Sequence, residues 1–294
     1  MGALAVGRVR VALVTAAALL LLAGTACGER SEPTGALVQS YPIRVQGGSD
    51  AATVVRSAPK RIVPVGAGPT AILRSLGLKG RTVEVDDTLV GLPLVDAIRR
   101  AKPDLIVASG ETDPLDLARA RSATHAAVYV EPSGSLGDVV GAIGDVGLLT
   151  GTPVQARRLS ARIEAKRQTV ARKVAGTPLV TTFVDTGGFS TISSRTLLGD
   201  LIELAHGRSV AGASPEQGPF PVKRLLELDP GVYLATAGSG VTLKQLRTRA
   251  GVKRLRAVRT GRFAVLPPEA TIAGPAIGDA LEQIARALHP DATR

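Results

Sequence analysis

Short runs of β-branched and aliphatic residues alternate with helical patterns along most of this chain, and this alternation constrains the fold more than any other feature of the sequence. It is typical of βαβ units, in which each helix returns the chain to the start of the next strand, so we predict an α/β fold with mostly parallel sheets. The predicted strands are 62–65, 82–85, 105–108, 127–130, 179–184, 232–235 and 263–266. The predicted helices are 69–76, 94–101, 115–122, 196–205, 222–228, 243–258 and 277–288.

One local pattern occurs in both halves of the chain. The segment 102–104, Lys-Pro-Asp, directly precedes the apolar run 105–108, and the segment 229–231, Asp-Pro-Gly, directly precedes the run 232–235. In both places the proline ends a helix, because it disfavours the helical conformation at the residue before it. The two prolines lie 127 positions apart (230 − 103), which is the scale of a domain rather than of a solenoid repeat. We therefore predict two similar α/β lobes.

Residues 154–175 contain no glycine and no proline, and their apolar residues recur at helical spacing opposite lysines and arginines. Proline before this segment and glycine after it are typical of helix boundaries. At 1.5 Å per residue, a helix of this length measures about 33 Å. We predict that this single helix joins the two lobes. The chain then divides into an N-terminal lobe (41–134), linking helices (135–176) and a C-terminal lobe (177–294).

The first 26 residues have the pattern of an export signal peptide. Arg8 and Arg10 form a positive head, residues 11–23 form an apolar run, and small residues follow at 24–26. The apolar run is too short to span a bilayer as a helix, which takes about 20 residues. We therefore expect residues 1–26 to be removed and the protein to be exported.

Cys27 is the single cysteine of the chain and follows the signal peptide directly. It resembles the lipid-modified cysteine of bacterial lipoproteins, although Gly24 stands where such signals usually carry leucine or valine. The resemblance implies a lipid on Cys27 that anchors the protein to the outer face of the cell membrane, with the polar segment 27–40 as a flexible tether. The alternative is ordinary cleavage after Ala26, which leaves a free thiol.

The chain carries a net charge of +11, and its basic residues concentrate at 157–173 and 244–262. Nucleic-acid binding would need stacking aromatic residues among them, but the whole chain has four Phe, three Tyr and no Trp. We therefore expect no nucleic-acid partner. We interpret the basic segments as solvated faces that lie near anionic lipid headgroups.

Four short segments stand in a characteristic order: Tyr41-Pro-Ile-Arg-Val, Ala58-Pro-Lys-Arg-Ile-Val, Leu76-Gly-Leu and Ala101-Lys-Pro-Asp-Leu-Ile-Val. Together with the single long helix, they resemble class III substrate-binding proteins of bacterial ABC importers, the group that captures ferric siderophores, haem or cobalamin. The resemblance spans residues 41–290. It implies two lobes with mostly parallel sheets joined by a single long α-helix, with limited closure because the hinge is a helix.

The resemblance also implies a function. The protein would be a monomer that captures a small solute between its lobes. We expect this solute to be an iron–siderophore-type chelate, with haem and cobalamin as alternatives. It would deliver this solute to an ABC permease embedded in the membrane. It would need no cofactor of its own.

In this family, an acidic residue on each lobe forms a salt bridge with an arginine of the permease. Asp96 takes this position in the first lobe, but Lys223 takes it in the second. An ammonium group there would turn attraction into repulsion, unless a shifted register brings Glu216 or Glu227 to the contact. The alternative function is therefore a binding or sensing lipoprotein of the cell envelope that does not take part in transport.

In open α/β sheets, ligands bind outside the carboxyl ends of the strands, so the loops after the predicted strands form the candidate ligand-binding site. The same residue types are also those that turns and helix caps require. The loop 131–133 belongs to this set, without one residue singled out. The candidate ligand-binding residues are Gly68, Thr70, Asp86, Asp87, Thr88, Glu111, Thr186, Gly187, Gly188, Phe189, Phe220, Ser239 and Glu269.

The tyrosines, the histidines and the possible catalytic motifs do not indicate a further site. Tyr129 and Tyr233 lie inside predicted strands, which indicates core positions. His125, His206 and His289 are scattered, so we predict no metal site. The sequence has no nucleophile elbow and no histidine with an acidic partner at motif spacing. We therefore expect a protein that is not an enzyme.

Overall fold

The computed structural model describes residues 39–49, 51–86, 88–212 and 219–293. The predicted signal peptide, Cys27, Asp87 and Glu216 lie outside the described residues. From Tyr41 onward the chain forms one unit, to which every strand and helix below belongs. Among the described helices, none combines the length and the apolar character that crossing a membrane requires.

The N-terminal part of this unit, which we call the N-lobe, contains a parallel sheet in the order β3-β4-β5. Its elements are the antiparallel pair β1 (Ile43–Val45) and β2 (Thr53–Val55), then β3 (Ile62–Val65), α1 (Ala67–Ser75), α2 (Gly91–Ala101), β4 (Leu105–Ala108), α3 (Pro114–Thr124) and β5 (Ala127–Val130). The three parallel strands and three helices confirm the predicted alternation. The sequence pattern does not predict the short pair β1–β2.

The predicted strand at 82–85 is wrong. Only one isolated bridge forms there, between Thr82 and Ile62, and the Val83 amide donates to the Ile62 carbonyl. Val83 and Val85 pack on the core of the N-lobe, so their apolar alternation reflects packing rather than a ladder. The chain then turns at Asp86, whose carboxylate accepts hydrogen bonds from the amide and the hydroxyl of Thr88.

Two helices follow β5: α4 (Leu136–Thr150) and the 22-residue α5 (Pro153–Val174). Gly151 ends α4 in the left-handed region, with a φ of 75°, and Pro153 begins α5. The buried face of α5 belongs to a hydrophobic core that also contains residues of β3, β4 and two later helices, α6 (Leu197–Leu204) and α10 (Ile277–Leu288). The predicted connecting helix is confirmed, and one continuous core joins the lobes on either side of it.

The C-terminal part, the C-lobe, has a four-stranded sheet in the order β7-β6-β8-β9, with every pair parallel. Its elements are β6 (Val180–Asp185), α6 (Leu197–Leu204), β7 (Gly207–Ser209), α7 (Val222–Leu228), β8 (Val232–Thr236), α8 (Leu243–Thr248), α9 (Arg256–Arg259), β9 (Phe263–Leu266) and α10 (Ile277–Leu288). Short 3₁₀ turns lie at Lys79–Arg81, Ala237–Ser239, Val252–Arg254 and Pro268–Thr271. The two-lobed α/β fold is therefore confirmed.

The side chains of the C-lobe sheet alternate between two cores, as the period of a strand requires. Phe183 and Tyr233 point into the core beneath α7, α8 and α9. Val184 and Leu234 point to the opposite face, into the core that α5, α6 and α10 share. The sheet is therefore covered by helices on both faces, as parallel sheets usually are.

The predicted helix at 243–258 is wrong as a single element. Thr242 and Gln245 form a capping box at its start, and α8 ends after six residues. Gly251 then takes a φ of 80°, which interrupts the helix because this conformation is left-handed. The 3₁₀ turn Val252–Arg254 and the short helix α9 follow.

Candidate functional site

A cavity of about 910 Å³ lies between the two lobes, outside the carboxyl ends of the strands. Its N-lobe wall comes from the loops after β3, β4 and β5 and from the first turns of α2 and α3. Its C-lobe wall comes from Ile192, from 195–198 at the start of α6 and from 271–273 after β9. The volume is at the upper end of the range that small-molecule sites occupy, about 300–1,000 Å³.

Two glycines of the loop after β3 shape the floor of this cavity. Gly66 has a φ of 105°, a conformation that L side chains rarely adopt. At Gly68, a Cβ atom would lie 2.4 Å from the carbonyl oxygen of Ala273 in the C-lobe. Glycine is therefore required at 68 because the two lobes touch at that point.

An arginine lines the cavity from each lobe. Arg119 extends from α3, and its guanidinium lies 3.5 Å from the carboxylate of Asp116. Arg195 precedes α6 on the opposite wall and is exposed. No ion pair to Arg195 forms within the described ranges. Hydrogen-bond donors with positive charge therefore reach the cavity from both sides.

Three carboxylates also line the cavity, but two of them already serve the backbone. Asp116 is buried and accepts a hydrogen bond from the amide of Gly91, at 2.7 Å. Asp113 caps α3 by accepting from the Leu115 amide, at 2.8 Å. Glu111 is exposed, so it is the acidic group of this wall best placed to meet a solute.

Glu131 lies directly behind the floor, at the end of β5. It is 1% exposed, and its Oε1 atom has no hydrogen-bond partner within the described part of the chain. Its Oε2 atom lies 3.2 Å from the point that a Cβ on Gly68 would occupy. Burial raises the pKa of this carboxyl well above its ordinary value. The loop 131–133 is among the predicted site loops, but no sequence pattern indicates that Glu131 is buried.

The structure brings Gly68 and Glu111 together at the cavity but places the other N-lobe candidates elsewhere. The hydroxyl of Thr70 donates to the Gly66 carbonyl within α1, at 2.9 Å. Asp86 and Thr88 are exposed and bond to each other away from the cavity wall. The hydrogen bonds from Thr88 lower the pKa of Asp86.

The predicted location of the two phenylalanines is corrected by the structure. Phe189 and Phe220 are buried, and they pack in the core beneath α7 and α8 rather than in cleft loops. The centroid of the Phe220 ring lies 5.5 Å from that of Phe183. The guanidinium of Arg249 covers the Phe189 ring at 4.1 Å from its centroid. Neither ring lines the cavity.

The remaining C-lobe candidates also lie away from the cavity wall. Asp185 holds the turn that contains Thr186, Gly187 and Gly188, because its carboxylate accepts from the amides of Gly187 and Phe189. Ser239 donates to the Thr236 carbonyl, and Glu269 is exposed in a 3₁₀ turn. The residues that form the C-lobe wall were not predicted, because they do not directly follow a strand. After β6 the chain makes a tight turn, and the wall is formed further along, at 192 and 195–198.

The two tyrosines predicted for the core are both buried. Tyr129 donates from its hydroxyl to Asp145, at 3.0 Å, and Tyr233 donates to Asp185, at 2.5 Å. Burial raises the pKa of both phenols. Within the described ranges, no group of three His, Cys, Asp or Glu side chains is arranged to hold a metal ion.

Two parallel-sheet lobes that face each other across a cavity, joined by one long helix, define a solute-binding class of protein. The model of the periplasmic binding protein family matches residues 69–270. The chain therefore belongs to the periplasmic binding protein family.

Individual proteins resemble the chain more distantly. It is 21% identical to the Bacillus subtilis (strain 168) protein YvrC, an uncharacterized ABC transporter substrate-binding lipoprotein, over 95% of this chain and 96% of that one. The structure of Helicobacter pylori CeuE with Ni(II) bound aligns with a TM-score of 0.74 and 13% identity, over 85% of this chain and 90% of that one. An ABC-type Fe³⁺-hydroxamate transport system structure from Saccharomonospora viridis aligns with a TM-score of 0.67 and 18% identity, over 85% and 99%. At these identities, the two structures support the fold.

Proposed function

We propose that this protein is an extracytoplasmic solute-binding lipoprotein of an ABC importer, and that it captures an iron–siderophore-type chelate between its lobes. The observation that carries the proposal is the cavity of about 910 Å³ with Arg119 on one wall and Arg195 on the other. Guanidinium groups present planar, fixed donors that suit carboxylate and hydroxamate oxygens. An anionic chelate that spans the cleft could therefore contact both lobes at once.

A chelate fits this cavity better than a bare metal ion. A bare ion needs several protein ligands at about 2.0–2.6 Å, and the described residues offer no such group. In a siderophore-type complex, the chelator supplies the ligands and the protein contacts only its outer surface. Haem and cobalamin share this property, and the proposed function extends to them as alternative solutes. The likeness to the Fe³⁺-hydroxamate transport structure supports a chelate, whereas the CeuE structure holds Ni(II).

Calorimetry against a ferric hydroxamate, haem and cobalamin tests the solute. We expect one of them to bind reversibly and to raise the apparent melting temperature by mass action. The double variant Arg119→Ala/Arg195→Ala should weaken binding about tenfold or more, because hydrogen bonds to charged groups contribute about 1.5–3 kcal/mol each. Arg157→Ala/Arg158→Ala, which removes two exposed arginines from α5, should bind as the wild type does. Unaltered binding by the cleft variant would contradict the proposal.

The proposed membrane anchor has its own test. Cys27→Ala should release the mature protein from the membrane fraction, because no described helix can hold it in a bilayer. Cys27→Ser keeps a side chain of similar size but also cannot carry the thioether-linked lipid, so it should be released in the same way. A variant that still sediments with membranes after a wash at high salt would contradict the lipoprotein proposal.

A non-transport binding or sensing role is the second candidate, and Lys223 is the observation that favours it. This residue is exposed in the first turn of α7, where the resemblance implies an acidic contact to the permease. Asp96, its counterpart in α2, is exposed and pairs with Arg99 at 3.1 Å. Glu227 is also exposed, at the far end of α7.

Uptake of the bound chelate by the native host separates the two candidates. If the protein delivers its solute to a permease whose contact residues complement Asp96 and Lys223, deletion of its gene should abolish uptake. Asp96→Ala and Lys223→Glu should then each lower uptake without weakening solute binding. Arg158→Glu is a control of equal charge change to Lys223→Glu. Uptake that persists in the deletion strain would favour the non-transport role.

A further inference from the structure

The outer surface of the C-lobe has a continuous covering of basic side chains. Helix α7, helix α8, the turn Val252–Arg254 and helix α9 form one layer over the sheet, because Leu225, Leu246, Val252 and Val258 share one core beneath them. We call these four elements the basic layer. They present eight exposed lysines and arginines, five of them arginines, against one acidic residue, Glu227.

Little negative charge balances this layer. The carboxylate of Asp229 is used by the backbone, since it accepts from the Arg256 amide at 2.7 Å. Within the described ranges, no carboxylate forms an ion pair with Lys244, Lys253 or Arg254. These three cations are therefore available to an external partner.

Helix α5 is equally rich in basic residues, but its charges are partly engaged. Lys166 pairs with Asp279 and Glu282 of α10, and Arg167 pairs with Glu164 at 2.5 Å. Lys173 donates to the Thr293 carbonyl at 3.2 Å. The two basic segments of the sequence thus differ, because only one of them lies beside acidic residues of another helix.

A concavity of about 400 Å³ lies at one end of the basic layer. Its lining includes Arg256, Thr260 and Arg262 together with Thr181. The Thr260 hydroxyl already donates to the Arg256 carbonyl, and Arg262 donates through one nitrogen to the Leu288 carbonyl. The Arg256 guanidinium, the remaining donors of Arg262 and the Thr181 hydroxyl are suitable donors for the oxygens of a phosphate diester. Leu179, which is 47% exposed, lies at the same concavity and offers an apolar contact.

The basic layer leaves the solute cavity uncovered. Helix α7 begins at the cleft end of the C-lobe, because the Phe220 amide donates to the Phe189 carbonyl in the turn after β6. Arg256 begins α9 at the opposite end, beside the turn that starts β8. The layer is therefore a flank of the C-lobe that runs from the cleft rim to the far end.

We propose that the basic layer binds the surface of a bilayer rich in anionic phospholipids. Stable protein–protein interfaces have an apolar centre, whereas Leu228 is the one exposed large hydrophobic residue among the described residues of this layer. Many separate cations on one flank suit a surface with many separate phosphates. The proposed lipid on Cys27 would place the protein at such a surface.

Vesicle sedimentation tests the proposal on the mature chain, residues 27–294, carrying Cys27→Ala, so that neither an attached lipid nor the apolar signal peptide can mediate binding. Vesicles of phosphatidylcholine with about 30% phosphatidylglycerol should bind the protein, and vesicles of phosphatidylcholine alone should not. Binding should fall steeply at about 0.5 M salt, where the screening length drops to a few ångströms. Soluble glycerol phosphate should compete poorly, because a single headgroup cannot reproduce a surface.

Charge reversal locates the binding surface. Lys244→Glu/Lys253→Glu/Arg254→Glu should raise the lipid concentration for half-maximal binding about a hundredfold or more, since each basic residue strengthens binding about fivefold. Arg157→Glu/Arg158→Glu/Arg162→Glu makes the same change in net charge on exposed residues of α5 and should have a much smaller effect. Circular dichroism and ferric-chelate binding should be unaltered in both variants.

Three results would overturn the proposal. The wild type could fail to bind anionic vesicles, the two triple variants could lose binding equally, or glycerol phosphate could displace the protein completely. The first would favour an acidic protein partner for this flank, the second a diffuse effect of net charge and the third a site for a soluble phosphate ester. None of these results bears on the solute cavity, so the proposed transport function is tested separately.

Discussion

The two lobes have a similar turn before a central strand, yet the aspartate of this turn accepts hydrogen bonds from a different element in each lobe. Lys102 and Asp229 precede the prolines, and both adopt left-handed backbone conformations, with φ of 50° and 37°. In the N-lobe, the Asp104 carboxylate accepts from the amides of Lys60 and Arg61 and so fixes the start of β3. In the C-lobe, the carboxylate of Asp229 instead fixes the start of α9. A similar backbone path can therefore support different connections.

The buried tyrosines show a second difference between the lobes. Tyr129 bonds to Asp145, which belongs to the linking helix α4 and is half-buried. Tyr233 bonds to Asp185, which is 2% exposed and also accepts from two backbone amides. The N-lobe pair thus ties a lobe to its connector, whereas the C-lobe pair closes a network inside the lobe.

Removal of each aspartate tests this difference, and it should produce the largest effect. Asp185→Ala leaves two amides and a phenol without their acceptor in a buried site, so we expect a loss of about 3 kcal/mol or more in the free energy of unfolding. Asp145→Ala leaves only one group, the buried phenol of Tyr129, without its acceptor and should cost about 1 kcal/mol. Urea unfolding measures both, and equal losses would contradict the comparison.

The contact between the lobes should be the next most sensitive point. Gly68→Ala places a methyl group against the Ala273 carbonyl, which should cost about 1–3 kcal/mol and weaken chelate binding because the lobes must shift apart. Gly80→Ala is the control, since nothing lies within 4 Å of its added Cβ, and it should change stability by about 0.5 kcal/mol or less. If Gly68→Ala behaved like Gly80→Ala, the lobes would not be held in contact there.

Glu131 distinguishes the lobes again. The N-lobe buries this carboxyl with no partner for Oε1 among the described residues, whereas Asp185 of the C-lobe has three donors. Burial raises the pKa of Glu131 in the folded state, so the folded protein holds this proton more tightly than the unfolded chain. Its contribution to stability is fully present below the unfolded pKa of about 4.3 and is lost as pH rises toward the folded pKa.

Glu131→Gln should therefore stabilise the protein at neutral pH by about 1 kcal/mol, because the amide is neutral at every pH. The gain should shrink as the pH falls toward about 4.3. Gly80→Ala, a change that removes no carboxyl group, should leave the pH dependence of unfolding unaltered. A gain that is constant from acid to neutral pH would show that packing, rather than ionisation, causes it.

The smallest effect should come from the surface ion pair of the N-lobe rim. Asp96 and Arg99 are 52% and 61% exposed, so their coupling in a double-mutant cycle should be about 0.5 kcal/mol or less. Salt at about 0.5 M should remove most of it. A coupling above about 1 kcal/mol would mean that the rim is more rigid than its exposure indicates.

Much of the fold can be predicted from local sequence patterns. Helices α7 and α10 agree residue for residue with the predicted helices, because their apolar spacing and their boundaries are both clear. The failures have local causes that depend on tertiary contacts. β7 is a three-residue strand with an arginine at its centre, and it exists because it pairs with β6. The pattern at 82–85 indicates a strand, but that segment has one bridge.

The candidate site could be predicted only in its N-lobe part. Gly68 and Glu111 each lie three residues after a strand, in the segments that follow β3 and β4. These strands are neighbours in the sheet, and ligands bind outside the carboxyl ends of parallel strands, so both residues are predicted to lie at the cleft. In the C-lobe, the chain makes a tight turn after β6 and then builds the cavity wall from 192–198. The sequence offers Thr196, the N-cap of α6, as the one signal there.

The sequence by itself determined the alternation of strands and helices, the two similar lobes and the helix between them, because these features depend on periodicity over 4 to 22 neighbouring residues. Only the tertiary structure decided that Phe189 is core, that Glu131 is buried behind Gly68 and Ala273, and that Lys244 of α8 forms no ion pair within the described ranges. Burial and ion pairing depend on which distant segments meet. Glu131 and Ala273, for example, are 142 positions apart (273 − 131) and are brought together across the floor of the cleft.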